Sequence, residues 1–356
     1  MRPELRRVWL RLHRWTALTF GWLLALTALL GAALVVAPSL DRWANPQLFE
    51  TRTPAAAAPA PLEPVRQRLH AEFGADSGLT LRPPRGPNDT LWVRVRGRWN
   101  GTVYFDPASG AEQGRRGEHE GAYNLLFELH SEILLGDTGK AVLTTASLTY
   151  LLLLVTGLVL WWPRRWPPRL RVEWRQGALR SLFDLHRTGG ALLGLLIMVS
   201  VTTGAYMAWP PMRGWVSQLA GQAPAAVPKV AGVSGTAASL DTVVARAQAQ
   251  FPGAPIGYIH LPPAGKRPVQ VRFRLPDDPH PNGLSSVWLH PVTAEVLGSR
   301  RWSALDPGAR AVAVIYPLHT GELGGPLHAL LTALTGLTLA GLGGSGLWLW
   351  WRRRTR

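Results

Sequence analysis

Four histidines recur in similar surroundings: Arg11-Leu12-His13-Arg14, Glu128-Leu129-His130-Ser131, Asp184-Leu185-His186-Arg187 and Pro317-Leu318-His319-Thr320. Neutral imidazole is the commonest metal-ligating side chain. Two of them can fill both axial positions of a haem iron, which leaves no open site for O₂ and favours electron transfer. Taken singly, a histidine at a helix end reads more readily as a cap or an amphipathic interfacial residue. The fourfold return of one Leu-His setting is what points the set toward haem ligation. His328 follows His319 by nine residues, about 900° of helix rotation, with Pro326 between them. By motif alignment His319 matches His130 and His328 matches Gly139, so His319 is the expected ligand and His328 its alternative. His70, His119, His260, His280 and His290 show no metal-ligand spacing and read as surface or structural residues.

The elements that must position the histidines are membrane spans. The 356 residues are 47% hydrophobic and only 17% charged, against about 25% charged in an average soluble protein. Apolar runs long enough to cross a bilayer, which takes about 20 residues, cover residues 15–37, 141–162, 186–209 and 327–351. The first is too long for a cleavable signal peptide and is expected to remain. The four histidines then fall at the ends of the four helices.

The formal charge of +16 is concentrated beside those spans. Arg2, Arg6, Arg7, Arg11 and Arg14 precede the first. Arg164, Arg165, Arg169, Arg171, Arg175 and Arg180 lie between the second and third, and Arg352, Arg353, Arg354 and Arg356 follow the last. Basic runs flanking apolar segments mark the cytoplasmic side. Residues 1–14, 163–185 and 352–356 are therefore expected in the cytoplasm, and residues 38–140 and 210–326 outside it. The expected location is a bacterial inner membrane with both termini inside. The charge sits on no separate basic domain, which excludes a nucleic-acid partner. Trp161, Trp162, Trp209, Trp350 and Trp351 close three spans as interfacial anchors do. In this topology His13 and His186 share the cytoplasmic face, and His130 and His319 the outer face.

An internal repeat runs through the chain. Besides the Leu-His pairs, the exits Thr156-Gly157-Leu158-Val159-Leu160-Trp161-Trp162 and Ser345-Gly346-Leu347-Trp348-Leu349-Trp350-Trp351 match. The protein reads as two parallel halves, each a helix, an outer lobe and a helix. In the first lobe, 64–74 reads as a helix and 80–85, 91–96 and 102–106 as strands. In the second, 240–251 reads as the helix and 256–261, 269–275 and 285–290 as strands. Thr53–Pro61 and Gln222–Ala238 read as linkers. The expected fold is an α-helical membrane protein: a four-helix bundle of two repeats, each with a small α+β lobe on the periplasmic side.

The lobe segments VYFDPASGAEQG and VWLHPVTAEVLG, flanked by LHRWTAL, LHSEILLG, LHRTGG and LHTGELGG, resemble the PepSY-associated transmembrane proteins, also called iron-regulated membrane proteins. The resemblance spans nearly the whole chain. It implies PepSY-like lobes and, from members that act as ferric-siderophore reductases, haem b, in two copies under the four-histidine reading. Other members have no assigned reaction, which keeps a non-enzymatic alternative open: a membrane protein whose lobes bind or regulate a periplasmic partner.

No cysteine is present, so iron–sulfur and thiolate chemistry are excluded. The cytoplasmic strips carry no Gly-x-Gly-x-x-Gly after a strand and leave no room for a flavin or nicotinamide domain. Electrons would come from membrane quinol or a separate flavoprotein. They would leave to a ferric siderophore or another periplasmic acceptor. Gly189, Gly190 and Gly194, and Gly336, Gly341, Gly343, Gly344 and Gly346, read either as space for a flat porphyrin or as close helix contacts. Glu132 and Glu322 are placed to orient an imidazole or a propionate-bound water, or to be solvated loop carboxylates.

Overall fold

The computed structural model describes residues 2–53, 58–163, 167–168, 170–221, 227–230, 235–263 and 267–355. Arg164, Arg165, Arg169, Arg356 and parts of both linkers lie outside the described residues. The chain divides into two compact units. One comprises residues 1–37, 125–216 and 315–356, and the other residues 38–124 and 217–314.

The first unit is helical. α1 (Pro3–Thr16) runs through a π-helical turn (Ala17–Gly21) into α2 (Trp22–Ala44), making one helix of 42 residues. α6 (Gly136–Trp161), α7 (Ala178–Ala208) and α12 (Gly325–Arg354) are the other three helices long and apolar enough to cross a membrane. Two short helices lead into α6 and α12: α5 (Ala122–Glu132) and α11 (Ile315–Thr320). α6 packs on α7, α7 on α12, and α1 on α6.

The centre of this unit is small, with Leu23, Leu24, Leu143, Ala146, Tyr150, Ile197, Val201 and Leu339 buried together. The Tyr150 hydroxyl donates to the Gly194 carbonyl at 3.1 Å, satisfying a polar group that lipid could not. Leu192, Leu195 and Leu330 point outward, more than half exposed, as expected where the solvent is hydrocarbon. Close approach of α12 to α2 needs glycine at two of the positions singled out above. A β-carbon at Gly343 would meet that of Ala25 at 2.5 Å, and one at Gly336 would meet the Ala28 carbonyl at 2.7 Å.

His13 and His186 do not stand at helix ends, contrary to expectation. α1 begins ten residues before His13 and α7 eight before His186. The arginine-rich flanks continue the helices because Arg and Leu are good helix formers, and hydropathy marks only the apolar stretch.

The second unit is built on one eight-stranded sheet. Its strands are β1 (Gly78–Arg82), β2 (Leu91–Arg96), β3 (Gly101–Phe105), β4 (Glu112–Gly117), β5 (Ile256–Leu261), β6 (Val269–Phe273), β7 (Ser285–Leu289) and β8 (Val296–Arg300). They lie in the order β4-β3-β2-β1-β5-β6-β7-β8, every neighbour antiparallel. The two lobes read from the sequence therefore meet in a shared sheet rather than standing apart. Their seam is β1 against β5, with Thr80 opposite His260. Leu81, Val93, Val103, Ile259, Val271 and Val287 form the sheet's buried face. They pack under Leu69 and Phe73 of α4 (Glu63–Phe73) and Leu240 and Val243 of α9 (Leu240–Gln248).

Those two helices cap each other. Glu63 accepts from the Leu240 N–H, and Asp241 accepts from those of Leu62 and Glu63, at 2.7 to 3.1 Å. Carboxylates here satisfy orphan donors and oppose the helix dipoles. β4 and β8 lie outside the strands read from the sequence. Glu-Gln-Gly-Arg-Arg-Gly and Val-Leu-Gly-Ser-Arg carry little apolar alternation, since edge strands tolerate polar residues and glycine.

Candidate functional site

The structure brings the four histidines together as two pairs, both inside the helical unit. The rings of His13 and His186 have centres 6.3 Å apart at 88°. Those of His130, on α5, and His319, on α11, are 6.1 Å apart at 34°. Two imidazoles sharing one metal atom, each bonded at about 2 Å, would have ring centres about 6 Å apart.

One nitrogen of each ring is tied to a neighbouring helix. His13 Nδ1 lies 2.7 Å from Thr156 Oγ1, whose own proton goes to the carbonyl of Leu152 or Leu153. His186 Nδ1 lies 3.0 Å from Ser345 Oγ, which donates to the Leu342 carbonyl. With their protons so directed, both hydroxyls accept from the imidazole. His130 Nδ1 donates to the Thr27 carbonyl at 2.9 Å, and His319 Nδ1 to the Ser200 carbonyl at 3.0 Å, with Thr203 Oγ1 at 3.1 Å. A carbonyl can only accept. The carbonyl partners assign His130 and His319 a protonated Nδ1 and an Nε2 with a free lone pair, and the hydroxyl-to-carbonyl bonds of Thr156 and Ser345 suit the same tautomer at His13 and His186. This is the usual arrangement of a metal-ligating histidine, whose second nitrogen is anchored to fix the ring.

A cavity of about 1500 Å³ opens beside His13 and His186, reaching from the arginine-rich end of the bundle inward to Leu24, Tyr150 and Leu339. That exceeds the roughly 300–1,000 Å³ of most ligand sites. Arg6, Arg14, Arg353 and Arg354 line it together with Trp15, Trp161 and Trp350. Arg180 and Arg187 also line it and share the fully buried Asp184 at 2.9 and 3.9 Å. Among the described residues the other four arginines have no carboxylate within ion-pair distance, so the cavity mouth carries net positive charge suited to a ligand carboxylate. Paired imidazoles with free Nε2 atoms, an apolar slot and a cationic mouth form a donor set that fits a haem with its propionates.

The model of the PepSY-associated TM region matches residues 10–353. The chain belongs to that family. No curated protein matches it at a significant level. In this PepSY-associated protein His328 sits on the first turn of α12, where its Nδ1 accepts from the Gly324 N–H at 3.3 Å. It is His319 that meets His130. Glu132 pairs with Lys140 at 3.2 Å rather than with an imidazole, and the Glu322 N–H donates to the Pro317 carbonyl. In the sheet unit, His260 Nδ1 bonds Thr80 Oγ1 at 3.1 Å, and His280 and His290 accept backbone N–H groups of their own turns. Burial comes first and the charge of Arg272 second in lowering the His260 pKa to about 4.

Five residues escaped the sequence reading as parts of this site: Thr156, Thr203 and Ser345, which contact imidazoles, and Thr27 and Ser200, which offer their carbonyls. A signal for them was present in dipeptides. Thr156-Gly157, Thr203-Gly204 and Ser345-Gly346 each pair a hydroxyl residue with a glycine inside an apolar span.

Proposed function

We propose that this protein is an inner-membrane haem b protein that carries electrons across the bilayer, one haem between His13 and His186 and a second between His130 and His319. The observation that carries the reading is the pairing: four half-buried imidazoles in two pairs, each with Nδ1 tied to a neighbouring helix and Nε2 left to bind. Bound haem would supply a one-electron couple. The chain's own part is to hold the rings against rotation, to exclude water with Leu24, Tyr150 and Leu339, and to receive carboxylates on Arg6, Arg14, Arg353 and Arg354.

His13 and Gly31, the residue His130 rests on, are 18 residues apart on one helix. At about 1.5 Å per residue the two levels are separated by roughly 27 Å, close to the thickness of a bilayer core. The positive-inside pattern supports both termini in the cytoplasm, the sheet unit in the periplasm, and His13 and His186 on the electron-entry side. Two parallel halves, each a helix, an outer lobe and a helix, account for the matching histidine and exit motifs. The donor is membrane quinol or a flavoprotein. The acceptor is a periplasmic ferric siderophore, reduced by one electron to its ferrous form.

The test is optical. The purified full-length protein should show a Soret band, and dithionite should bring up a reduced α-band. Absence of both overturns the haem reading and favours the non-enzymatic alternative, lobes that bind or regulate a periplasmic partner. Reduced protein mixed with ferric siderophores should reoxidise. Failure across a range of chelates removes the reductase step and leaves an electron carrier.

A further inference from the structure

Every imidazole of the two pairs lies against a glycine. A β-carbon at Gly31 would stand 2.7 Å from His130 Cε1, one at Gly204 2.9 Å from His319 Cε1, one at Gly346 3.3 Å from His186 Cε1, and one at Gly157 3.5 Å from His13 Cε1. Four residues before each glycine is a carbonyl beside the same ring: those of Thr27 and Ser200 by direct hydrogen bond, and those of Leu153 and Leu342 next to the bridging hydroxyls. In an α-helix the carbonyl of residue i bonds the N–H of i+4 and is screened by the side chain there. Glycine at i+4 uncovers its second lone pair. The spacing is also repeated. Gly31 follows His13 by 18 residues as Gly204 follows His186, and Gly157 follows His130 by 27 as Gly346 follows His319.

The arrangement is reciprocal within each half. The long helix bearing His13 supplies the seat for His130, and α6, reached through α5, supplies the seat for His13. The long helix bearing His186 seats His319, and α12, reached through α11, seats His186. We infer that Gly31, Gly157, Gly204 and Gly346 are positioning residues, each leaving a helix carbonyl open beside the ring it seats, bonded directly at His130 and His319 and flanked by a bridging hydroxyl at His13 and His186, and thereby fixing where Nε2 points. The inference rests on the ligand reading above for its purpose, and on the ring contacts alone for its geometry.

The clearances set a graded expectation. Alanine at Gly31 or Gly204 must displace the ring. Gly346→Ala needs it to give by a few tenths of an ångström, and Gly157→Ala only reaches ordinary contact. Gly341 and Gly344, with nothing near, are controls.

The test uses the full-length chain labelled with ¹⁵N-histidine, imidazole signals being assigned by single His→Gln variants, together with reduced-minus-oxidised spectra. G31A should move the His130 imidazole shifts, leave those of His13 and His186 in place, and remove about half of the reduced α-band. G204A should do the same through His319. G346A should move the His186 shifts with less loss of band, and G344A should change neither readout. If G31A and G204A fail to accumulate, G346A decides, because its clash is mild. Unchanged imidazole shifts in the variants that fold overturn the inference. A wild-type chain without a Soret band overturns the haem reading instead, and the imidazole shifts alone then decide the seats.

Discussion

The two histidine pairs are made from the same parts and held differently. At His130 and His319 the rings press on Gly31 and Gly204, and Nδ1 bonds a backbone carbonyl directly. At His13 and His186 the glycines stand further off, and a Thr or Ser hydroxyl is interposed. The first pair is bonded straight to backbone, with no room beside either ring for a side chain larger than glycine. The second is held by side-chain hydroxyls and opens onto an arginine-lined cavity. One Leu-His motif is thus held in two ways, with the difference lying in the helix behind each ring.

Removing one ligand should break the comparison most severely. His130→Ala or His319→Ala should abolish one haem and leave the other, halving the pyridine-haemochrome yield per chain, and His13→Ala or His186→Ala should remove the complementary half. Loss of both haems from any single change would refute two independent sites. Next in size is the cationic mouth. Charge-assisted hydrogen bonds contribute about 1.5–3 kcal/mol each, so Arg14→Gln with Arg353→Gln should weaken retention of the His13–His186 haem by roughly tenfold or more in competition with apomyoglobin. The other site should be unaffected.

Thr156→Val and Ser345→Ala test the interposed hydroxyls. The carbonyls of Leu153 and Leu342 remain as fallback acceptors, so the loss should stay near 0.5–1.5 kcal/mol, about the worth of one neutral hydrogen bond. Thr203→Val, at a ring already bonded to a carbonyl, should do less. A redox titration resolving the two haems would show the first two variants moving one midpoint and the third barely moving the other.

The smallest effect should come from Asp106 in the sheet unit, read in the acid limb of stability. Burial raises the Asp106 pKa, but hydrogen bonds from Thr51, Ser109 and Thr53 outweigh it and hold the carboxyl well below its usual range. A depressed carboxylate stabilises the fold above its unfolded pKa of about 4, and that contribution is lost as pH falls through the native value. Asp106→Asn should lower thermal stability at pH 7 and flatten its decline below about pH 4. An unchanged acid profile would remove Asp106 as the cause.

Much of this was legible in the chain. The spans stand out because a helix that crosses hydrocarbon must be long and apolar, and the ligand candidates because Leu-His recurs in register with them. The two edge strands did not, since Glu112–Gly117 and Val296–Arg300 have almost no apolar alternation. Nor did the seats. A glycine within an apolar helix looks the same whether it faces a helix, as Gly343 does, lipid, or an imidazole, as Gly346 does.

Sequence by itself determined the four spans, the charge asymmetry around them and the four recurring histidines, because hydropathy, charge and motif are local properties. Only the tertiary structure decided that the two lobes share one sheet through β1 and β5, that the rings approach in twos, and which nitrogen of each is left free. Those depend on contacts between residues far apart in the chain, Thr80 with His260 at a separation of 180 among them, and no local pattern specifies which helix face or strand edge will lie opposite.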